Sequence, residues 1–170
     1  ASGWVLEAGS ALSGNDNTDA DPEILVAIGE LSTSIGAADI TEVEMVTTTA
    51  DKSEGFTISV RVRYNEPVDV VTTGGTPTLA VTNGNEGTGT GRGPHTLSYA
   101  SGTGTNELIF SLAIAAANAA TNADDVLTVG AQTIALNSGT IKDASGTASD
   151  AALVISGAVG TAAGSVTVTA

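Results

Sequence analysis

Apolar and polar residues alternate along several short segments of the chain, which is the pattern of half-buried β-strands. The clearest alternation covers residues 56–64 and places Arg61 and Arg63 on its polar face. A second alternation covers residues 108–114. Side chains two positions apart lie on the same face of a strand, so both segments predict one buried layer. That predicted layer consists of Phe56, Ile58, Val60, Val62, Leu108, Phe110 and Leu112.

Weaker alternations, separated by turn-forming residues, predict further strands at spacings typical of an all-β domain. They cover residues 40–46, 77–81, 96–100, 126–129, 133–136, 153–155 and 165–169. Helical periodicity is weak, and the alanine-rich stretch 115–124 is compatible with either a helical turn or a loop. The pattern predicts an immunoglobulin-like β-sandwich of about seven to nine antiparallel strands.

The chain is predicted to have three parts: an acidic, extended N-terminal arm (1–38), the sandwich (39–157) and a C-terminal tail or added strand (158–170). The first basic residue is Lys52, so the arm carries acidic residues without compensating cations. Residues 15–21 are typical of a flexible turn. The apolar run 23–28 predicts either an extra strand or a segment that docks on the sandwich.

Charge and composition exclude several classes of function. Nineteen acidic residues against five basic ones give a net charge of −14, which repels nucleic acid and anionic membranes. There is no cysteine, so neither disulfides nor thiolate metal sites are available. No apolar stretch of about 18 residues predicts a membrane span. The start of the chain does not resemble a signal peptide, and Ala1 is compatible with a trimmed initiator Met, a cleaved signal or an excised piece.

Candidate catalytic and metal-binding residues are few. His95 is the single histidine, and its position after Pro94 predicts a solvent-exposed loop residue whose replacement by Ala leaves folding unchanged. The glycine-rich segment 87–93 lacks the Lys-Ser/Thr ending of a phosphate-binding loop. Calcium binding stays open as an alternative, because carboxylate oxygens are its preferred ligands. The candidate carboxylates are Asp16, Asp19, Asp21, Asp124 and Asp125.

The predicted partner-binding residues are Trp4, Val5, Leu6 and Arg92. The first three form the most apolar triplet of the acidic arm, and Trp is the residue type most enriched among interface anchors. A large ring on a terminal arm is expected to insert into a neighbouring chain, or alternatively to fold back on its own sandwich. Arg92 is a lone cation in a glycine-rich loop and is available to an acidic partner.

Five segments occur in the order found in bacterial immunoglobulin-like domains of the adhesin-repeat type: 55–60 (GFTISV), 65–68 (NEPV), 75–79 (GTPTL), 99–106 (YASGTGTN) and 136–146 (LNSGTIKDASG). The chain resembles this family over about two-thirds of its length. The resemblance implies the fold, and function only by association, because such domains occur in surface adhesins and in phage structural proteins. Segment 83–93, the arm and the tail depart from the pattern.

From these observations we expect a non-enzymatic structural protein on the surface of a virion, a phage capsid decoration or head-surface protein. Its expected partners are capsid subunits or sister copies, with no cofactor. The alternative is a module of a bacterial surface adhesin or surface-layer protein, located at the cell surface. A sugar-active enzyme or accessory is disfavoured, because aromatic residues are only 3% of the chain and few are available for a sugar-binding platform.

Overall fold

The computed structural model describes residues 2–6, 23–28, 36–84, 93–144 and 148–170. These residues form thirteen β-strands and one short helix, which confirms the predicted all-β class. The chain divides into two compact units, Ala1–Ile35 and Gly36–Ala170. Within the described ranges, no helix is both long enough and apolar enough to cross a membrane.

The first unit contains an antiparallel pair of strands, β1 (Ser2–Leu6) and β2 (Glu23–Ile28). The apolar run 23–28 is therefore a strand. The register shifts between Trp4 and Val5, as at a β-bulge, where one strand carries an extra residue. The turn predicted at residues 15–21 lies outside the described residues.

The second unit contains the remaining strands and the helix. They are β3 (Ile40–Met45), β4 (Ala50–Asp51), β5 (Phe56–Val71), β6 (Thr78–Val81), β7 (His95–Ser101), β8 (Thr105–Ile114), β9 (Val126–Thr128), β10 (Gln132–Thr133), β11 (Thr140–Asp143), β12 (Val154–Ile155), α1 (Gly157–Ala162) and β13 (Ser165–Thr169). The immunoglobulin-like arrangement and the number of strands predicted for it stay predictions.

Strands β5 and β8 form the centre of the largest sheet, and both predicted alternations lie within them. Val60 pairs with Phe110 and Val62 pairs with Leu108, so apolar residues meet apolar residues across the ladder. β5 runs seven residues beyond its predicted end at residue 64, because the ladder shifts register between Arg63 and Val68 and then resumes. Pro67 lies in this irregular stretch, where a missing backbone donor is tolerated.

The six-stranded sheet has the order β11–β5–β8–β7–β6, and β3 also pairs with β5. A second sheet has the order β4–β13–β9, in which β13 and β4 are parallel. Thr82, just after β6, exchanges two backbone hydrogen bonds of 2.8 and 3.1 Å with Thr128 of β9. This bridge connects the edge of the large sheet to the smaller one, and the combined sheet curls around the core.

The core of the second unit is one cluster of buried side chains contributed by both sheets. Phe110, Val60 and Leu108 are fully buried, whereas Phe56 and Leu112 are partly buried and pack against the cluster. Val168 of β13 joins the same cluster. The predicted inward layer is confirmed, with its two outer members at the margin of the core.

The alanine-rich segment after β8 contains turns, whereas a short helix lies near the end of the chain. The alanine-rich residues 115–124 form turns, and the only helix of the described part is α1. Ser156 caps α1 by accepting a hydrogen bond from the Val159 amide. Gly160 is buried in α1, and a Cβ there would lie 2.1 Å from the Gly130 carbonyl oxygen. A glycine in this helix thus allows close backbone contact despite its low helical propensity.

Candidate interaction surfaces

The predicted apolar triplet lies in β1 and faces an apolar partner strand. Trp4 pairs with Val26, Val5 with Ile24 and Leu6 with Glu23. Within the described backbone, β1 and β2 pair only with each other. The triplet therefore belongs to a two-stranded antiparallel ladder.

Arg92 lies outside the described residues, but Asn83 and Gly93, on either side of its segment, are described. Asn83, immediately before the segment, is fully buried. Its Nδ2 donates hydrogen bonds to the Gly93 carbonyl at 3.3 Å and to the Ala120 carbonyl. One amide side chain thus links Gly93 to the turns that follow β8.

His95 is not the exposed loop residue that the sequence predicted. It is the first residue of β7, is only 4% exposed, and its Nε2 lies 3.0 Å from the Thr121 Oγ1. Strand alternation places His95 on the same face as buried Leu97. The prediction was wrong because Pro94 was interpreted as part of a loop, whereas proline is also tolerated where a strand begins.

Replacing His95 with Ala is therefore expected to destabilise the second unit. The variant leaves the buried Thr121 hydroxyl without its imidazole partner, and an orphaned buried polar group costs about 1 to 3 kcal/mol. Chemical denaturation should show this loss for H95A. The neighbouring residue Thr96 is exposed and provides the control, since Thr96→Ala should change the unfolding midpoint little. Equal stability of H95A and the wild-type protein would contradict the burial of His95.

The five aspartates considered as calcium ligands are found in both units of the chain. Asp16, Asp19 and Asp21 lie outside the described residues. Asp124 is exposed, whereas Asp125 is buried and its Oδ2 accepts a hydrogen bond of 2.8 Å from the Asn122 amide. Across the part of the chain that the structure describes, no three His, Cys, Asp or Glu side chains are grouped as metal ligands.

A ladder of alternating charges covers the outer face of β3, β5 and β8. Arg61 pairs with Glu44, and Arg63 pairs with Glu42 at 2.8 Å and with Glu107. Arg61 also lies 3.6 Å from Glu107. The hydrogen bond from Arg63 lowers the pKa of Glu107. The predicted position of both arginines on the polar face is confirmed, and both pair with acidic residues of neighbouring strands.

Two buried acidic residues were missed in the sequence. Glu66 is 7% exposed in β5 and Asp143 is 2% exposed in β11. Alternation in the short strand β11 places Asp143 on the same face as buried Ile141, which is the signal that could have found it. Glu66 lies on the same face of β5 as buried Tyr64 and Val68, so the alternation of residues 56–64, continued by two positions, is the signal that could have found it.

A shallow groove of 390 Å³ runs between β3 and α1. Its walls combine the apolar residues Ala158, Val159 and Ala162 with Glu42 and Glu44. Both glutamates are already engaged by arginines of the charge ladder. The groove offers a small apolar surface with an acidic rim.

The chain matches no protein-family model, no curated protein and no solved structure. Function is therefore inferred from the structure of the chain itself. The second unit has a buried core, and the first unit contains a two-stranded ladder. The described basic side chains bind acidic side chains or backbone carbonyls of the same chain.

Proposed function

We propose that this protein is a non-enzymatic structural protein of a virion, a phage capsid decoration or head-surface protein. The second unit is displayed on the particle, and the first unit attaches it to capsid subunits or to sister copies. The observation that carries the proposal is the division of the chain into two units, with Trp4, Val5 and Leu6 in the strand pair of the smaller one.

The energetics of a two-stranded ladder support an attachment role. Two antiparallel strands are marginally stable in water and need a further apolar surface to become stable. Trp4 and its neighbours supply an apolar strand opposite Ile24 and Val26. Contact with a partner would bury this ladder, and Trp is the residue type with the largest typical contribution at such contacts.

The charge of the described surface supports a basic partner. Four of the five basic residues are described, and all four are engaged internally. Lys52 binds backbone carbonyls, Arg61 and Arg63 bind glutamates, and Lys142 pairs with Asp150 at 2.9 Å. The chain as a whole carries a net charge of −14, and the four described cations are already engaged with groups of the chain itself. Complementary charge would speed association with a basic surface and orient the chain.

The alternative is a module of a bacterial surface adhesin or surface-layer protein. It is favoured by the same five sequence segments that carry the family resemblance, since such modules occur in adhesins. In that case the protein is located at the cell surface, and its partner is a neighbouring module or a host molecule.

Sedimentation of purified particles tests the proposal. Particles from a culture that produces this protein are separated on a density gradient, and the protein is detected with an antibody. We expect it to sediment with the capsid subunits in a constant ratio across independent preparations. Its recovery in the cell-envelope fraction would support the adhesin alternative, and its absence from both fractions would contradict both.

A further inference from the structure

One end of the core in the second unit is closed by the turns between β8 and β9. Thr121 at the centre of these turns is fully buried and contacts His95. The Asp124 amide donates to the Val168 carbonyl, and the Val168 amide donates to the Asp125 carbonyl, both at 2.8 Å. Residues 115–125 therefore form a cap over this end of the core, referred to below as the β8–β9 cap.

A single cation lies at the middle of the β8–β9 cap. The Nζ of Lys52 donates a hydrogen bond of 3.0 Å to the Asn118 carbonyl and a second one to the Thr121 carbonyl. The Lys52 amide donates to the Thr169 carbonyl at 3.0 Å, so the backbone of this lysine is held against β13. Its ammonium therefore joins the cap to the smaller sheet.

Lys52 binds backbone carbonyls and not a carboxylate, which is unusual in so acidic a chain. Nineteen carboxylates compete for five basic residues. The ion pairs of the described residues nevertheless include the two arginines and Lys142 but not Lys52. Backbone carbonyl oxygens are also ligands for free cations in proteins. The position of the Lys52 ammonium is that of a cation held in a carbonyl pocket.

We propose that the Asn118 and Thr121 carbonyls form an internal cation site whose resident ligand is the Lys52 ammonium. The cation holds the β8–β9 cap closed over His95. Without it, the two carbonyls lose their charged donor, and the cap opens more often. A small primary ammonium ion supplied from solution would take the same site once the lysine side chain is removed.

The loss of charge is tested with Lys52→Met, which keeps an unbranched side chain as far as the Cε position and removes the ammonium. We expect its melting temperature to fall by about 5 °C, because hydrogen bonds to charged groups are among the stronger ones. Hydrogen exchange at the amides of Asn122, Asp124 and Asp125 should accelerate by about tenfold. Lys142→Met is the matched control, since it removes the same charge from an exposed pair. Indistinguishable behaviour of the two variants would overturn the proposal.

Chemical rescue tests the ligand itself. Lys52→Ala leaves space for propylammonium, which restores the atoms of the side chain from Cγ to Nζ. We expect propylammonium to recover much of the lost melting temperature and to slow exchange in the cap again. Tetramethylammonium at the same concentration has equal charge but no N–H donors, and it should recover neither. Equal effects of the two ions, or no effect of either, would show that Lys52 acts through its packing and would overturn the assignment of a cation site.

Discussion

Phe110→Ala is expected to lower the free energy of unfolding by about 3 to 5 kcal/mol, the range measured when a fully buried aromatic ring is truncated. Phe110 is 0% exposed and pairs across the ladder with Val60. Its ring also makes an edge-to-face contact with Tyr99, with ring centroids 6.1 Å apart. The chain has only two phenylalanines, and the other one, Phe56, lies at the margin of the core.

Phe56→Ala is the matched control for this prediction. It deletes the same group from the same sheet, but Phe56 is only partly buried at the margin of the core. Its loss of stability should be clearly smaller, because less apolar surface returns to water. Urea denaturation of both variants gives the comparison. Similar losses for the two would mean that the core is not centred on β5 and β8 as described.

Removal of residues 1–35 is expected to leave a folded second unit that no longer attaches to the particle. Among the residues whose burial the structure describes, which begin at Gly36, the buried cluster extends from Ala38 to Val168 and gives the second unit a core of its own. The cut is made at Ile35 because the Ala38 carbonyl accepts a hydrogen bond of 2.8 Å from the Ala152 amide, so deletion as far as residue 38 would damage the core. Thermal melting and co-sedimentation with particles measure the two outcomes separately.

Trp4→Ala is the point variant that accompanies this truncation. Anchoring Trp residues commonly contribute about 2 kcal/mol or more, which corresponds to roughly thirtyfold weaker attachment. Val154→Ala serves as the control, because Val154 is the most exposed large apolar residue of the second unit among those described. If the truncated chain sediments with particles as the full chain does, the attachment role of the first unit is wrong. If it fails to fold, the independence of the second unit is wrong.

The central ladder could be predicted from the sequence because its signal is local. Successive side chains of a strand point to opposite faces of the sheet. The buried and exposed faces around Val60 and Phe110 can therefore be predicted from each segment alone, before its neighbouring strand is known. The same alternation placed Arg61 and Arg63 outside, where opposite charges are found on neighbouring strands. The glutamates with which they pair depend on the register between β3, β5 and β8. That register cannot be predicted from the sequence of any one of these strands.

The polar interior could not be predicted in the same way. His95, Thr121 and Asn83 are far apart in sequence, and each has a residue type that is common on surfaces. They are buried because the β8–β9 cap closes over the end of β7, and their hydrogen bonds exist only once those segments meet. The alanine-rich stretch illustrates the same limit. Its helical propensity is overridden by contacts with Lys52 and β13.

The sequence by itself determined the all-β class, the two central strands, the inward layer and the excess of negative charge, because periodicity and composition are properties of the chain alone. Only the tertiary structure decided that β5 continues past Pro67, that Thr82 bridges to Thr128, that His95 is buried and that Lys52 binds carbonyls. These features depend on contacts between segments separated by tens of residues. Such contacts form when the sheet curls, and a local pattern does not encode them.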